Sequence, residues 1–190
     1  MRPLGFLIII ALSLAGLVSG CATVKRTGTE TPRSATEQLL LSTAAERSAT
    51  QIEGPDFLGV PLYLEVAGLT NDAAFAKETV ASELQARGAV IVTDATKATY
   101  TVKLLVQAFG TDQTESFLGI PAMNAIVPIP EIALYKRRRQ TARSRLRYIV
   151  IDTRTGQTVG QAQEAEGKTT STSWTILFFA FERSDMDDRP

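Results

Sequence analysis

Residues 61–108, PLYLEVAGLTNDAAFAKETVASELQARGAVIVTDATKATYTVKLLVQA, change their apolar period from two to nearly four and back to two. Leu62, Leu64 and Val66 alternate with Tyr63 and Glu65, which predicts a strand over 58–66. Pro61 suits its start or a sheet edge, because proline donates no ladder hydrogen bond. Asn71 and Asp72 are capping types. Behind them Phe75, Ala76, Val80 and Leu84 recur on one face of a helix over 73–87, and Gly88 stands where a left-handed residue closes such a helix. Alternation returns in strands over 89–93 and 99–109, where Tyr100, Val102, Leu104, Val106 and Ala108 oppose Thr101, Lys103, Leu105, Gln107 and Phe109. A succession of strand, helix, strand and strand calls for a sheet with the helix laid across one face.

The flanks extend this pattern. Upstream, Ser34 and Glu37 have the spacing of a capping box, and Leu40, Leu41, Ala44, Ala45, Ala49 and Ile52 follow at helical spacing, predicting a helix over 35–52. Downstream, residues 110–135 place Pro121, Pro128 and Pro130 among many aliphatics, which forbids one continuous helix or central strand there. Strands are expected again at 140–151 and about 157–165, joined by a turn at 152–156. Residues 172–181, TSWTILFFAF, are apolar on both faces and predict one buried strand, with Trp174 as a packing residue. The whole is an α+β domain over 34–182, a mostly antiparallel sheet of about five or six strands with two helices on one face. The acidic tail 183–190 is expected to fray. This element order resembles small periplasmic lipoprotein domains, such as those that help curli secretion or activate penicillin-binding proteins.

The N-terminus carries a second signal. Arg2 is followed by an apolar run, Leu4 to Leu17, shorter than a comfortable membrane helix, and then by Val18-Ser19-Gly20-Cys21. This resembles the lipobox of bacterial lipoproteins. The resemblance implies that residues 1–20 are a removed signal peptide and that the Cys21 thiol receives diacylglycerol, the freed amine being a further acylation point. Two or three acyl chains, at roughly 0.8 kcal/mol per buried methylene, would hold the protein at a membrane permanently. Ala22 rather than Asp after the cysteine favours, by resemblance to enteric sorting, the outer membrane facing the periplasm. Residues 21–33, Thr-rich with Gly28 and Pro32, read as a flexible tether. TPRSATEQLLLS (31–42), FGTDQTESFLGIPA (109–122) and IPEIALYKRR (129–138) resemble a family of uncharacterised bacterial lipoproteins. That family has no established activity and so supplies no catalytic residues.

Composition excludes much. The chain has no histidine and one cysteine, so neither a histidine-dependent nucleophile system nor a histidine-ligated zinc site can be built. Phosphate-binding and dinucleotide-binding motifs are missing, and no cofactor is expected. Loss of the signal leaves nineteen basic and twenty acidic residues, which gives no field for nucleic acid. Asp56, Glu65, Asp112, Glu115, Glu131 and Asp152 remain for carboxylate chemistry, but their spacing converges on nothing. The expected function is therefore non-enzymatic: a binding or scaffolding domain. One alternative is an oligomeric secretion or outer-membrane assembly component. A third is a glycan-acting enzyme, which would need two carboxyl groups roughly 5–9.5 Å apart in a cleft.

Two stretches are candidates for binding. Lys136, Arg137, Arg138, Arg139, Arg143, Arg145 and Arg147 make seven cations in twelve residues. In a strand, Arg143, Arg145 and Arg147 share one side, a ladder suited to phosphate or carboxylate forks of an anionic envelope component or a protein partner. The alternative is a solvated face whose arginines pair with Glu164, Glu166 or other carboxylates on the next strand. The apolar segment 117–134 reads either as a flap that touches a partner or membrane, or as a crossover packed under the sheet. The second is expected, because so many aliphatics are costly to expose.

Overall fold

The computed structural model describes residues 23–28 as backbone only, and 33–123, 130–177 and 179–186 in full. The signal segment and Cys21 lie outside the described residues. Among those described, helices α1 (Ala35–Ala49) and α2 (Ala73–Ala86) accompany strands β1 (Thr23–Gly28), β2 (Pro61–Gly68), β3 (Val90–Ile91), β4 (Tyr100–Ile120), β5 (Ile132–Asp152), β6 (Thr158–Ile176) and β7 (Phe179–Ser184). They form one sheet in the order β3-β2-β4-β5-β6-β7, with β1 also paired to β4. The fold is α+β and the sheet mostly antiparallel. Its parallel part is where a crossover demands it: β2 takes β3 on one side, Pro61 facing Val90, and β4 on the other, Leu64 facing Val102. Strand β1 falls inside the segment expected to be a tether.

The chain divides into two compact units. The larger, here the helical unit, comprises Thr27–Gln113, Arg139–Thr172 and the segment from Arg183. Its helices behave as their sequences dictate. Ser34 accepts from the Glu37 amide at 3.2 Å while Glu37 accepts from the Ser34 amide at 2.9 Å, closing the expected capping box. Asp72 does not cap α2 as its position suggests: Arg33 takes its carboxylate at 2.7 Å. The C-terminal carbonyls of α1 are met by Arg87, which donates to Thr50 at 2.6 Å and Ile52 at 2.7 Å, a cation where the helix dipole favours one. Gly88 has φ 89° and fits the left-handed position read for it.

Alternation sets the core. Leu62, Leu64, Val102, Leu104, Val106, Leu146, Tyr148 and Val150 are buried together with Ala49, Ile52, Val80 and Leu84 from the helices and the residues after α1. Phe75, expected on the apolar face of α2, is about half exposed and meets Phe109 instead. Helix α1 lies so close to β6 that a Cβ on Gly167 would fall 1.8 Å from the Ala44 carbonyl oxygen. Buried Ser48 gives its hydroxyl proton to the Ala45 carbonyl and meets Ser144 Oγ, each at 2.8 Å, so neither polar group is orphaned. Asp185, in the tail expected to fray, accepts the Thr170 amide at 2.8 Å and offers its carbonyl to Arg47 at 2.6 Å. Residues 187–190 lie outside the described residues.

The smaller, strand-only unit contains Thr23–Arg26, Thr114–Arg138 and Ser173–Glu182 among its described parts. Two expectations need correction here. The irregular segment expected over 110–135 is strand up to Ile120 and again from Ile132, because Pro121, Pro128 and Pro130 all fall between β4 and β5 and break neither. The single buried strand expected at 172–181 is two strands. Leu177, at φ 57°, turns β6 into β7, and Phe179 and Phe181 are 69% and 57% exposed. Apolarity on both faces implies burial only where a layer covers each face, and this unit contains no helix among its described residues.

Candidate functional site

The cationic strand is β5. Its alternation runs as read: Ala142, Ser144, Leu146, Tyr148 and Val150 are buried, and Arg143, Arg145 and Arg147 point outward. The ladder does not stand free. Arg143 pairs with Glu166 at 3.3 Å and Arg145 with Glu164 at 2.5 Å, both carboxylates on neighbouring β6. The hydrogen bond from Arg145 holds the Glu164 carboxyl below its ordinary range, and Glu164 in turn raises the Arg145 guanidinium. Arg147 has no ion pair among the described residues and borders a hollow of about 290 Å³ with Glu65, Lys103 and Leu105. Lys103 is itself paired with Glu65 at 3.3 Å, its partner across the β2–β4 register. Arg139 is exposed and likewise without an ion pair among the described residues.

The remaining cations belong to the strand-only unit. The Lys136 ammonium lies 2.7 Å from Glu131 and 3.5 Å from Glu115, and 6.0 Å from the centre of the Phe117 ring. Arg138 adds a second contact to Glu115 at 3.3 Å. Arg137 keeps a buried Nε without a hydrogen-bond partner among the described residues. Lys136, Arg138 and Glu131 border a cavity of about 500 Å³ whose other walls include Ile132, Leu134 and Leu177. Glu115 and Glu131 are thus brought together, but on one ammonium. Among the described residues, no group of three or more acidic or thiol side chains is placed to hold a metal ion.

Charge therefore defines the site less than apolar surface does. Leu118, Ile120 and Met123 beyond the middle of β4, Ile132 and Leu134 at the start of β5, and Ile176, Leu177, Phe179 and Phe181 are each 45–69% exposed. All nine lie in the strand-only unit, where none of the described apolar residues is buried; the helical unit exposes large apolar side chains too, Leu58 and Leu69 among them, but over a buried core. This corrects the expectation that segment 117–134 packs under the sheet: its described aliphatics face outward. Residues 124–129 lie outside the described residues. The sequence signal that could have found this surface is the run Phe117–Pro130, fourteen residues without a charge.

One further group was not anticipated. Tyr148, on the buried side of β5, accepts from the Glu53 amide at 2.8 Å and donates to Gln163 at 2.5 Å. Burial raises its phenol above the ordinary range. Its hydroxyl ties the chain after α1 to the sheet, which is a structural task.

No family model and no curated protein matches the chain. Solved structures with a similar course include the LpoB C-terminal domain from Salmonella enterica, at 10% identity over 66% of this chain and 96% of that one, TM-score 0.36. The PelC dodecamer from Paraburkholderia phytofirmans matches at 15% identity over 78% and 81%, TM-score 0.35. Lipoprotein GNA1162 from Neisseria meningitidis matches at 7% identity over 59% and 83%, TM-score 0.34. At such identities and scores the likeness extends to neither ligand nor partner.

Proposed function

We propose that this chain is an envelope lipoprotein, exported through residues 1–20, acylated at Cys21 and facing the periplasm, most naturally from the outer membrane given Ala22. Its work is binding or scaffolding rather than catalysis. The observation that carries the reading is the strand-only unit: nine large apolar side chains exposed on one small body, a surface whose cost in water is removed when a partner or a membrane covers it. The cationic strand contributes less. With Arg143, Arg145, Lys136 and Arg138 already matched by carboxylates, a contact with an anionic surface rests on Arg139 and Arg147, with Arg137 half-buried.

The edge strand favours one second reading, an assembly component. Strand β7 ends the strand order and carries exposed Phe179 and Phe181, so another chain could add to the sheet there. Crosslinking the lipidated protein in intact cells, followed by pull-down, tests both. A crosslink from Phe179 or Phe181 to a second copy supports assembly, and one to a different envelope protein supports scaffolding. Mass spectrometry of a mature N-terminal peptide with an unmodified Cys21 removes the lipoprotein reading itself.

A further inference from the structure

We infer that the exposed apolar surface of the strand-only unit lies in the bilayer interface, so that the protein is held by its own sheet as well as by its acyl chains. The inference rests on the proposed acylation of Cys21. Strand β1 begins at Thr23 and pairs with β4. Strand β2 already occupies Tyr100–Val106 on one side of β4, and β5 follows the other side from Thr99, whose carbonyl accepts the Thr153 amide, to Glu115, which meets Arg138. The free partner for β1 is therefore β4 beyond Val106. Thr23–Arg26 accordingly belong to the same unit as Thr114–Ile120. Two residues of chain, at most about 7 Å, separate Thr23 from residue 21. Acyl chains at Cys21 would enter the membrane beside the unit that bears Leu118 and Ile120.

The chemistry of that unit suits the lipid boundary. Of its described cations, Lys136 and Arg138 are neutralised by Glu115 and Glu131, which lowers the penalty of bringing them near lipid, while Arg137 is half-buried and has no ion pair among the described residues. Trp174 and Tyr135 are partly buried aromatics with polar tips, the residue types that settle at the headgroup level. The strand-only unit resting about 5–10 Å deep would bury exposed apolar side chains at the ends of β4, β5 and β6.

The test uses the full lipidated chain in vesicles of phosphatidylethanolamine and phosphatidylglycerol. One variant, Met123→Cys, carries an environment-sensitive dye on an exposed residue of the strand-only unit. A second, Gln157→Cys, carries the same dye at an exposed turn of the helical unit. The expected result is several-fold stronger quenching by nitroxide lipids at 123 than at 157, with the dye at 123 shielded from aqueous iodide. Replacing Leu118 and Ile120 with Ser should abolish the difference while the protein still floats with the vesicles. Equal iodide access at both positions overturns the inference. Shielding at 123 without nitroxide quenching also overturns it, in favour of a protein partner or a second copy. If Cys21 is unacylated by mass spectrometry, the anchor reading fails and takes the inference with it; acylated, floating protein with an exposed tip refutes the inference alone.

Discussion

The two units use the same strands in opposite ways. In the helical unit β4 alternates over Val102–Val106 and β5 over Ala142–Val150, with Val102, Leu104, Val106, Leu146 and Tyr148 in the core shared with the helices and Lys103, Arg143 and Arg145 in water; the expected alternation lapses at Ala108, which is exposed, and at Phe109, which packs against the core. In the strand-only unit the same two strands expose Leu118, Ile120, Ile132 and Leu134. What differs is the covering layer. A sheet buries an apolar face only where something lies on it, and the described part of the smaller unit holds no helix to do so. One half of these strands is therefore a finished core, and the other half leaves its apolar side chains uncovered.

Leucine truncation should separate the halves most sharply. Leu146 is 1% exposed and Leu134 is 51% exposed. Leu146→Ala should lower unfolding free energy by about 2–5 kcal/mol through lost burial and a cavity. Leu134→Ala should stay within about 0.5 kcal/mol, as surface changes do. Denaturant titration in detergent checks both, and equal losses would break the contrast. Next comes Gly167→Ala. With the Ala44 carbonyl where its Cβ must go, α1 has to shift off β6, and a loss of about 1–3 kcal/mol is expected in the same titration. Ser34→Ala removes one half of the capping box and should cost about 1 kcal/mol, read as a lower thermal midpoint by helical circular dichroism.

Most of the helical unit is legible in the sequence because periodicity answers a local question. Helix α1 ends within three residues of its expected end, the Asp152–Gly156 turn closes as read, and the outward side of Arg143, Arg145 and Arg147 follows from spacing alone. The pairing of Arg143 with Glu166 and of Arg145 with Glu164 is one of two readings that spacing leaves open, since register with β6 has to choose between them. The strand-only unit departs from expectation for one reason. At 110–135 and 172–181, apolar content implies a core only if a second layer covers it, and a linear sequence does not show that layer. The place of proline matters more than its number: three prolines in one connection leave both flanking strands whole. Asp72 does not cap because capping type does not reveal a competitor, and Arg33, thirty-nine residues away, wins the carboxylate.

That competition yields the smallest expected effect. The Arg33 hydrogen bond holds the Asp72 carboxyl below its ordinary value of 3.8. A carboxyl depressed on folding contributes fully above its unfolded value and loses that contribution as pH falls through the folded one. Arg33→Ala should therefore cost up to about 1 kcal/mol near neutral pH, since the pair is partly exposed. The gap between variant and parent should then narrow as pH drops below 3.8 and through the lower value at which Asp72 protonates beside Arg33. Urea titrations across that range read it directly. Because the pair joins the entry of α1 to the start of α2, its loss should appear in the helical signal and leave dye quenching at residue 123 unchanged. A gap that widens on acidification would mean that Asp72 is destabilised as a carboxylate, and that Arg33 fastens the helical layer by something other than charge.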